Sequence, residues 1–304
     1  MAGVMYLGNQ MVSPVIIQSS SGGGFIGVPT YSVVDGVITR TNYELQGNEF
    51  DGIETVPADN INKFFSFSRS NISGRVVFND LTTLTDLSAL RSCFLDTKIS
   101  SISFPKLETV TSGSLYNMAN GCSMLTSADL SAVTTIEDDG MDSCFYNSGL
   151  ESFDLSALES VETNGMSNTF CSTNIQTADF PSLETIGDEG MVSCFSDTPL
   201  QTITFTSLWD LRSIAPFEYT FNSCPNLQDV YFPALKTTSF ESGGDYDWYN
   251  FYEMFDYNTG SESGSVTVHF PSNLESVVQN LYNYPSFDGD PSIVHVAFDL
   301  PPTE

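Results

Sequence analysis

Two nearly identical phrases stand 25 residues apart in the middle of the chain. The stretch "DLSALESVETNGM" begins at Asp154, and "DFPSLETIGDEGM" begins at Asp179. A Phe or Leu ends each short strand-like run, and this anchor recurs with steps of 28, 26, 26, 25, 25, 25, 27 and 38. The anchors are Phe50, Phe78, Phe104, Leu130, Leu155, Phe180, Phe205, Phe232 and Phe270. A period sustained over so many copies predicts a solenoid whose units bury one another's apolar faces.

Smaller features keep the same period. A Gly-Met pair recurs at Gly140, Gly165 and Gly190. The chain has six cysteines, none in a CxxC pair, and several stand beside a Phe in equivalent parts of the repeat. They are Cys93, Cys122, Cys144, Cys171, Cys194 and Cys224. This placement favours buried free thiols that act as small hydrophobic residues, with zinc ligation or disulfides as the alternatives.

One recurring phrase carries a resemblance to a known family. It stands as "FNSCPNL", with Phe221, Cys224 and Leu227, and in weaker form as "ANGCSML", with Cys122 and Leu125. With the strand and apolar turn before it, the unit resembles the BspA-like class of leucine-rich repeats. The resemblance implies a repeat solenoid of stacked short parallel strands with irregular or short helical returns.

The ends differ from the repeats and predict a domain order. The turns at Gly8-Asn9 and Asp35-Gly36 favour hairpins in a small β N-terminal segment. At the other end, Ser272 and Glu275 form a capping-box pattern before an apolar run, which favours a helix followed by the strand "SIVHVAF". The predicted parts are a hairpin and Gly/Ser linker at 1–24, a β hairpin cap at 25–48, the solenoid at 49–270 with an aromatic insertion at about 238–264, and a C-terminal cap at 271–304.

Charge limits the partners of the chain. It has 9 Lys and Arg against 38 Asp and Glu, a formal net charge of −29. Such a surface repels nucleic acid and anionic membranes, and no apolar run is long enough for membrane insertion. The N-terminal stretch lacks the basic region of a signal peptide, so we expect no export by the ordinary route.

The opening phrase adds a second resemblance. "YLGNQMVSPVI" is similar to the start of tail-associated proteins of gut bacteriophages, in which such a phrase precedes BspA-like repeats. This implies a virion protein of the tail or surface, made in the host cytoplasm. Its first segment would dock to other virion proteins while the solenoid faces outward, and a homo-oligomer is compatible with that setting. A bacterial cell-surface location is the alternative.

The strand before each anchor supplies the first candidate site. Its residues alternate, so the residue just before the anchor points outward. Asp129, Asp154 and Asp179 hold this position in three successive copies. We therefore expect a ladder of carboxylates on the concave face, about 4.8 Å apart, screened by water or a cation. No cofactor is required; calcium is the ion that the ladder suggests, although no acidic cluster has calcium-loop spacing.

Aromatic residues supply the second candidate site. The longest interval between anchors contains "GGDYDWYNFYEMFDY", with Tyr246, Trp248, Tyr249 and Tyr252. An insertion in a solenoid forms a loop on one face, and exposed Tyr and Trp bind proteins or stack on sugar rings. Trp209 replaces a polar residue of the sister copies, and Tyr231 holds an outward strand position. Packing alone is the alternative for the four rings of the insertion.

No catalytic motif is present, so we do not expect an enzyme. The sequence favours a non-enzymatic protein whose solenoid binds a bacterial surface ligand, a glycan or a protein. A structural virion spacer or decoration protein, and a bacterial cell-surface adhesin, are the alternatives.

Overall fold

A computed structural model of the chain describes most of the repeat region and parts of both ends. Its described residues with side chains are 67–69, 71–84, 89–211, 213–236, 251, 253–255, 266–276, 278 and 294–303. Earlier in the chain, only the backbone of short strands between residues 5 and 56 is described. Tyr246, Trp248, Tyr249 and Tyr252 therefore lie outside the described residues.

Short strands make up nearly all the regular structure of the described chain. In chain order they are β1 (Met5–Leu7), β2 (Gln10–Val12), β3 (Val15–Ile16), β4 (Gly27–Val28), β5 (Tyr31–Val34), β6 (Val37–Arg40), β7 (Tyr43–Gln46), β8 (Thr55–Val56), β9 (Ile72–Val77), β10 (Thr83–Leu84), β11 (Lys98–Ser103), β12 (Thr109–Val110), β13 (Ser127–Asp129), β14 (Thr135–Ile136), β15 (Ser152–Asp154), β16 (Ser160–Val161), β17 (Thr177–Asp179), β18 (Thr185–Ile186), β19 (Thr202–Thr204), β20 (Asp229–Tyr231), β21 (Val266–Pro271) and β22 (Val294–Leu300).

The strands stack as parallel rungs of a solenoid. The strands that precede an anchor, together with the last strand β22, form two five-stranded sheets, in the orders β15-β13-β11-β9-β7 and β17-β19-β20-β21-β22. The shorter strands after the anchors form a further sheet, β12-β14-β16-β18, and a separate pair, β10-β8. Ser127 pairs with Ser152, and Thr135 pairs with Ser160, so each residue lies beside its counterpart one repeat on. The predicted solenoid of stacked parallel strands is confirmed.

The N-terminal strands pair in the opposite sense. β1 with β2, β3 with β4, and β5 with β6 are antiparallel pairs, and the first and last of these flank the predicted turns at Gly8-Asn9 and Asp35-Gly36. The chain then joins the solenoid, because β7 pairs in parallel with β9 and β8 with β10.

The return segments are strings of turns and not helices. In the copy that starts at Asp139, the amides of Met141 and Ser143 donate to the carbonyls of Gly165 and Ser167 in the next copy, at 2.8 and 2.9 Å. Since these amides point across the repeats, they cannot close α-helical turns. The amides between them donate three residues back, as Asp142 does to the Asp139 carbonyl at 3.2 Å.

A left-handed backbone conformation recurs every fourth residue of these returns. Asp139, Ser143 and Asn147 have φ values of 53°, 54° and 51°. Asn and Asp adopt this conformation at least cost among residues other than Gly, and Ser stands in several equivalent places. The Asp, Ser and Asn residues of the return are therefore explained by the left-handed backbone conformation at their positions.

Two columns of phenyl rings fill the core. The anchors Phe180, Phe205 and Phe232 stack with ring centroids 5.6 and 5.1 Å apart. A second column runs through the returns, in which Phe170 and Phe195 lie 5.2 Å apart. All of these rings are fully buried. The apolar residues shared by the repeats are thus explained, because each side chain stacks on the equivalent side chain of the next repeat.

Among the described strands β9, β11, β13, β15, β17, β19, β20, β21 and β22, the ladder is interrupted once. The anchor amides of Leu130 and Phe180 donate to the carbonyls of Asp154 and Thr204, each at 2.9 Å. The equivalent bond from Leu155 to Asp179 is not made, and β15 and β17 belong to different sheets.

The C-terminal helix begins differently from the prediction. A 3₁₀ helix covers Ser272–Leu274, directly after the end of β21 at Pro271, and residues 275, 276 and 278 are helical. Ser272 is the first residue of the helix and not the residue before it, and no side chain caps this end. The predicted capping box of Ser272 and Glu275 is therefore wrong. The expected last strand is present as β22, parallel to β21.

The recurring glycine of the Gly-Met pair leads to the first prediction. A Cβ at Gly190 would lie 2.6 Å from Cγ2 of Ile186 and 3.2 Å from the carbonyl oxygen of Glu162. We expect Gly190→Ala to lower the free energy of unfolding by about 1–3 kcal/mol, because the core is overpacked. Urea unfolding measures this, and the exposed substitution Glu162→Ala is the control. Equal stability of the two variants would contradict the close packing.

The cysteines lead to the second prediction. All six are free and buried, as the sequence predicted. Cys122 and Cys224 donate to the carbonyls of Phe94 and Phe195 at 3.0 Å, and burial raises the pKa of Cys224 to about 11. We expect a disulfide reagent to leave all six thiols unmodified in the native protein and to modify all six in denaturant. A thiol that reacts rapidly in the native protein would contradict this burial.

Candidate functional site

The outward side of the anchor-preceding strands forms a polar surface, which we call the strand face. It consists of the outward residues of β11, β13, β15, β17, β19, β20 and β21. In β13, Ala128 is buried while Ser127 and Asp129 are partly exposed, which is the alternation that the sequence predicted. One column of the face carries hydroxyl groups in five successive copies: Ser101, Ser127, Ser152, Thr177 and Thr202.

Two of the three predicted carboxylates are direct neighbours. Asp129 pairs with Asp154 across β13 and β15. Asp179 stands in β17, beyond the interruption of the ladder, and its register partner is Thr204. The expected even spacing of three carboxylates is therefore broken between Asp154 and Asp179.

Local hydrogen bonds explain why Asp suits the end of these strands. The Asp129 carboxylate accepts from Oγ of Ser103 and Oγ of Ser131, both at 2.7 Å, and from the Ser131 amide at 3.1 Å. Asp154 accepts from the Ser156 amide at 3.0 Å. An Asp that accepts from the amide two residues on closes a turn. Burial raises the pKa of Asp129, but the bonds from Ser103 and Ser131 outweigh it, and the net pKa is lowered.

Asp179 lacks this local bond. The residue two positions on is Pro181, which has no amide hydrogen. Its carboxylate accepts from Oγ1 of Thr206 at the long distance of 3.5 Å and is otherwise exposed. Of the three carboxylates, Asp179 is thus the one least occupied by its own chain.

The repeats around these carboxylates contain no cation. No Lys or Arg occurs between residues 107 and 211. Among the described side chains, neither Asp154 nor Asp179 forms an ion pair. The central strand face therefore has a negative charge that is balanced only by water and dissolved ions.

The structure places Trp209 and Tyr231 on different sheets. The Trp209 side chain is 37% exposed, and its Nε1 donates to Oε2 of Glu184 at 3.5 Å. The next residue, Asp210, forms a bridge to Thr185 in β18, so this ring lies beside the sheet that follows the anchors. Tyr231 lies in β20, on the strand face. The aromatic insertion that was predicted to extend their surface lies largely outside the described residues, so its role stays a prediction.

Tyr231 belongs to a polar cluster, which we call the histidine clasp. Its ring stacks on that of His269, with centroids 4.3 Å apart. Nε2 of His269 lies 3.0 Å from a carboxylate oxygen of Asp229, and Nδ1 lies 2.9 Å from one of Asp299. The clasp joins β20, β21 and β22, the last three strands of the sheet. Burial lowers the pKa of His269, but the two carboxylates outweigh this effect, and the net pKa is raised.

Sequence reasoning missed both the clasp and the interruption. Asp299 approaches His269 from a strand thirty residues on, a pairing that no repeat phrase encodes. The interruption had a visible signal: the inward column reads Ala128, Phe153, Ala178 in successive copies. A phenyl ring between two methyl groups is compatible with a break on one side of the ring, since β15 stays paired with β13 and is unpaired only from β17.

Two negative findings concern the described residues. None of the described helical residues forms a helix long and apolar enough to cross a membrane. Among the described side chains, no group of three or more His, Cys, Asp or Glu is arranged to hold a metal ion. Calcium binding stays a prediction.

The stacked parallel repeats and the polar strand face define a solenoid repeat protein, and comparison with known proteins identifies its family. A family model described as "BspA type Leucine rich repeat region" matches with six copies, over residues 60–190, 90–227 and 141–286. These matches cover more than half of the chain, so the chain belongs to the BspA-type leucine-rich-repeat family. No curated protein and no solved structure gives a significant match.

The histidine clasp leads to the third prediction. The folded-state pKa of His269 is raised above the ordinary 6.5. The charged clasp therefore contributes fully to the stability of the fold below pH 6.5, and this contribution is lost as the pH rises through the raised pKa. We expect His269→Gln to lower the melting temperature by several degrees at pH 6 and by much less at pH 9. His295→Gln, on β22, is the control. A deficit for His269→Gln that does not change with pH would contradict the charged clasp.

Proposed function

We propose that the chain is a non-enzymatic binding protein whose strand face recognises a ligand on the bacterial surface, a glycan or a protein. The observation that carries the proposal is the five-membered hydroxyl column beside the outward Asp residues. The core does not need these side chains, because the inward positions of the same strands fill it. A rigid array of small donors and acceptors, about 4.8 Å apart within each sheet and more widely spaced between Ser152 and Thr177, suits an extended ligand.

The proposed setting is a phage virion, in the tail or at the surface. The support is the resemblance of "YLGNQMVSPVI" to the opening of phage tail-associated proteins. In this proposal, residues 1–24 dock to other virion proteins and the repeats project outward. A rigid solenoid would present the strand face to the host cell, and copies of the chain could assemble around the particle.

The proposal of a protein without catalytic activity rests on how the histidine and carboxylate side chains are held. The chain has two His, and both ring nitrogens of His269 are held by carboxylates. The central carboxylates Asp129 and Asp154 are bonded to their own turns. These groups are arranged for structure, which favours binding without catalysis.

Cell binding provides the fourth prediction. Fluorescently labelled protein is mixed with a panel of intestinal bacteria and retention is measured by flow cytometry. We expect retention by at least one strain, and loss of most of it in the double variant Ser101→Arg with Thr202→Arg, because both bulky charges project from the strand face. Thr163→Arg, exposed in the turn after β16, is the control.

Two outcomes would contradict the proposal. Equal retention of all variants would show that the strand face is not the binding surface. Failure of the protein to bind any strain, together with tight binding to isolated virion proteins, would favour the virion spacer or decoration protein. The genomic neighbourhood, tail genes or cell-wall genes, separates the virion protein from a cell-surface adhesin.

A further inference from the structure

We infer that the gap between β15 and β17 is a slot that takes the side chain of an arginine from a partner polypeptide. The inference rests on the proposed binding role of the strand face and assigns one position on it. We call the gap the open rung; it is bounded by Ser152–Asp154 on one side and Thr177–Asp179 on the other.

The open rung is wider than any neighbouring step. Most Cα–Cα separations between β15 and β17 exceed 8 Å, whereas paired strands lie about 4.8 Å apart. The two strands are therefore not paired, and the gap between them is wider than a closed rung.

Both ends of the open rung are closed. Before it, the Asn174 amide donates to the Leu150 carbonyl at 2.9 Å, and after it the Glu184 amide donates to the Glu159 carbonyl at 2.8 Å. A whole strand therefore cannot run through the gap, but a single side chain can enter from the strand face.

Phe153 forms the floor of the slot. It stands in the inward column between Ala128 and Ala178, and its ring stacks on Phe170 with centroids 4.4 Å apart. Unlike the anchor rings, Phe153 is only partly buried. The ring holds the strands apart and leaves apolar surface for the stem and plane of an entering side chain.

The rims of the slot carry acceptors of hydrogen bonds. Asp154 and Asp179 end the two strands, and both carboxylates are exposed. Leu155 does not donate to the Asp179 carbonyl, so that carbonyl lacks the bond that this rung makes elsewhere. Neither rim offers a cation, because the chain has no Lys or Arg from residue 107 to 211.

These features favour an arginine side chain over a lysine side chain and over a neutral sugar. A guanidinium is planar, carries five donors in its plane and lies well against aromatic rings, so it matches both the acceptors and the floor. A lysine ammonium matches the charge but not the plane. A neutral sugar would leave the carboxylates of Asp154 and Asp179 without a counter-charge.

The probe for the fifth prediction is the capped peptide acetyl-Gly-Arg-Gly-amide. It is titrated into the ¹⁵N-labelled full chain at physiological salt, and backbone amide resonances are followed. We expect saturable shifts at Leu155 and Thr177, weaker binding of the Lys peptide, and no binding of the peptide with neutral citrulline.

Charge variants separate the slot from the general negative field. Asp179→Asn is expected to lower the affinity for the Arg peptide about tenfold, since one charge-assisted hydrogen bond is lost. Asp129→Asn removes the same charge from a closed rung and is expected to change affinity by less than about twofold. An equal loss in the two variants, or shifts confined to residues away from the slot, would overturn the assignment. Shifts of Leu155 and Thr177 with maltotriose but not with the Arg peptide would also overturn it, in favour of a glycan.

Phe153→Ala tests the floor. With Ala in three successive copies, the rung is expected to close and the Arg peptide to lose its binding. Unchanged binding by a folded Phe153→Ala protein would contradict the slot, and the Asp179→Asn result decides if that variant does not fold. Cell retention that survives Asp179→Asn while the peptide no longer binds would leave the proposed function standing and end only the idea that this slot mediates it.

Discussion

The hydrogen bond from one repeat to the next is the interaction on which this molecule depends. It joins anchor amides to the strand of the following copy, as from Phe180 to Thr204, and joins alternate amides of the returns, as from Met141 to Gly165. Because these bonds need equal spacing, every copy must place the same side chain at the same height. The phenyl columns, the close-packed glycines and the left-handed polar residues all follow from that condition.

Strict stacking leaves the outward side chains free to vary, and this is where binding is proposed. The strand face shows hydroxyl and carboxylate groups in register, without a cation in its central part. Phe153 stands at the break between β15 and β17, and we attribute this break to the size of its ring. A substitution in the core thus changes the surface, since the ring that separates β15 from β17 also exposes acceptors at their edges.

The sequence predicted the architecture well and the site only partly. Anchors such as Leu130 and Phe180, the parallel rungs and the buried thiols follow from a period that repeats the same physical demand. The Asp column was found too, but its split was not, because even spacing was assumed across Phe153. The pairing of His269 with Asp299 depends on contacts in the C-terminal cap, where no repeat constrains the chain. The predicted cap at Ser272 was wrong because β21 runs to Pro271 and the helix follows directly, so that Ser272 is its first residue.

Native-state hydrogen exchange of the anchor amides tests the central claim most directly. If the ladder is continuous except at Phe153, the amides of Leu130 and Phe180 exchange only through large-scale unfolding, whereas that of Leu155 exchanges orders of magnitude faster. Protection of Leu155 equal to that of Leu130 and Phe180 would contradict the account, because the rung between β15 and β17 would then be closed.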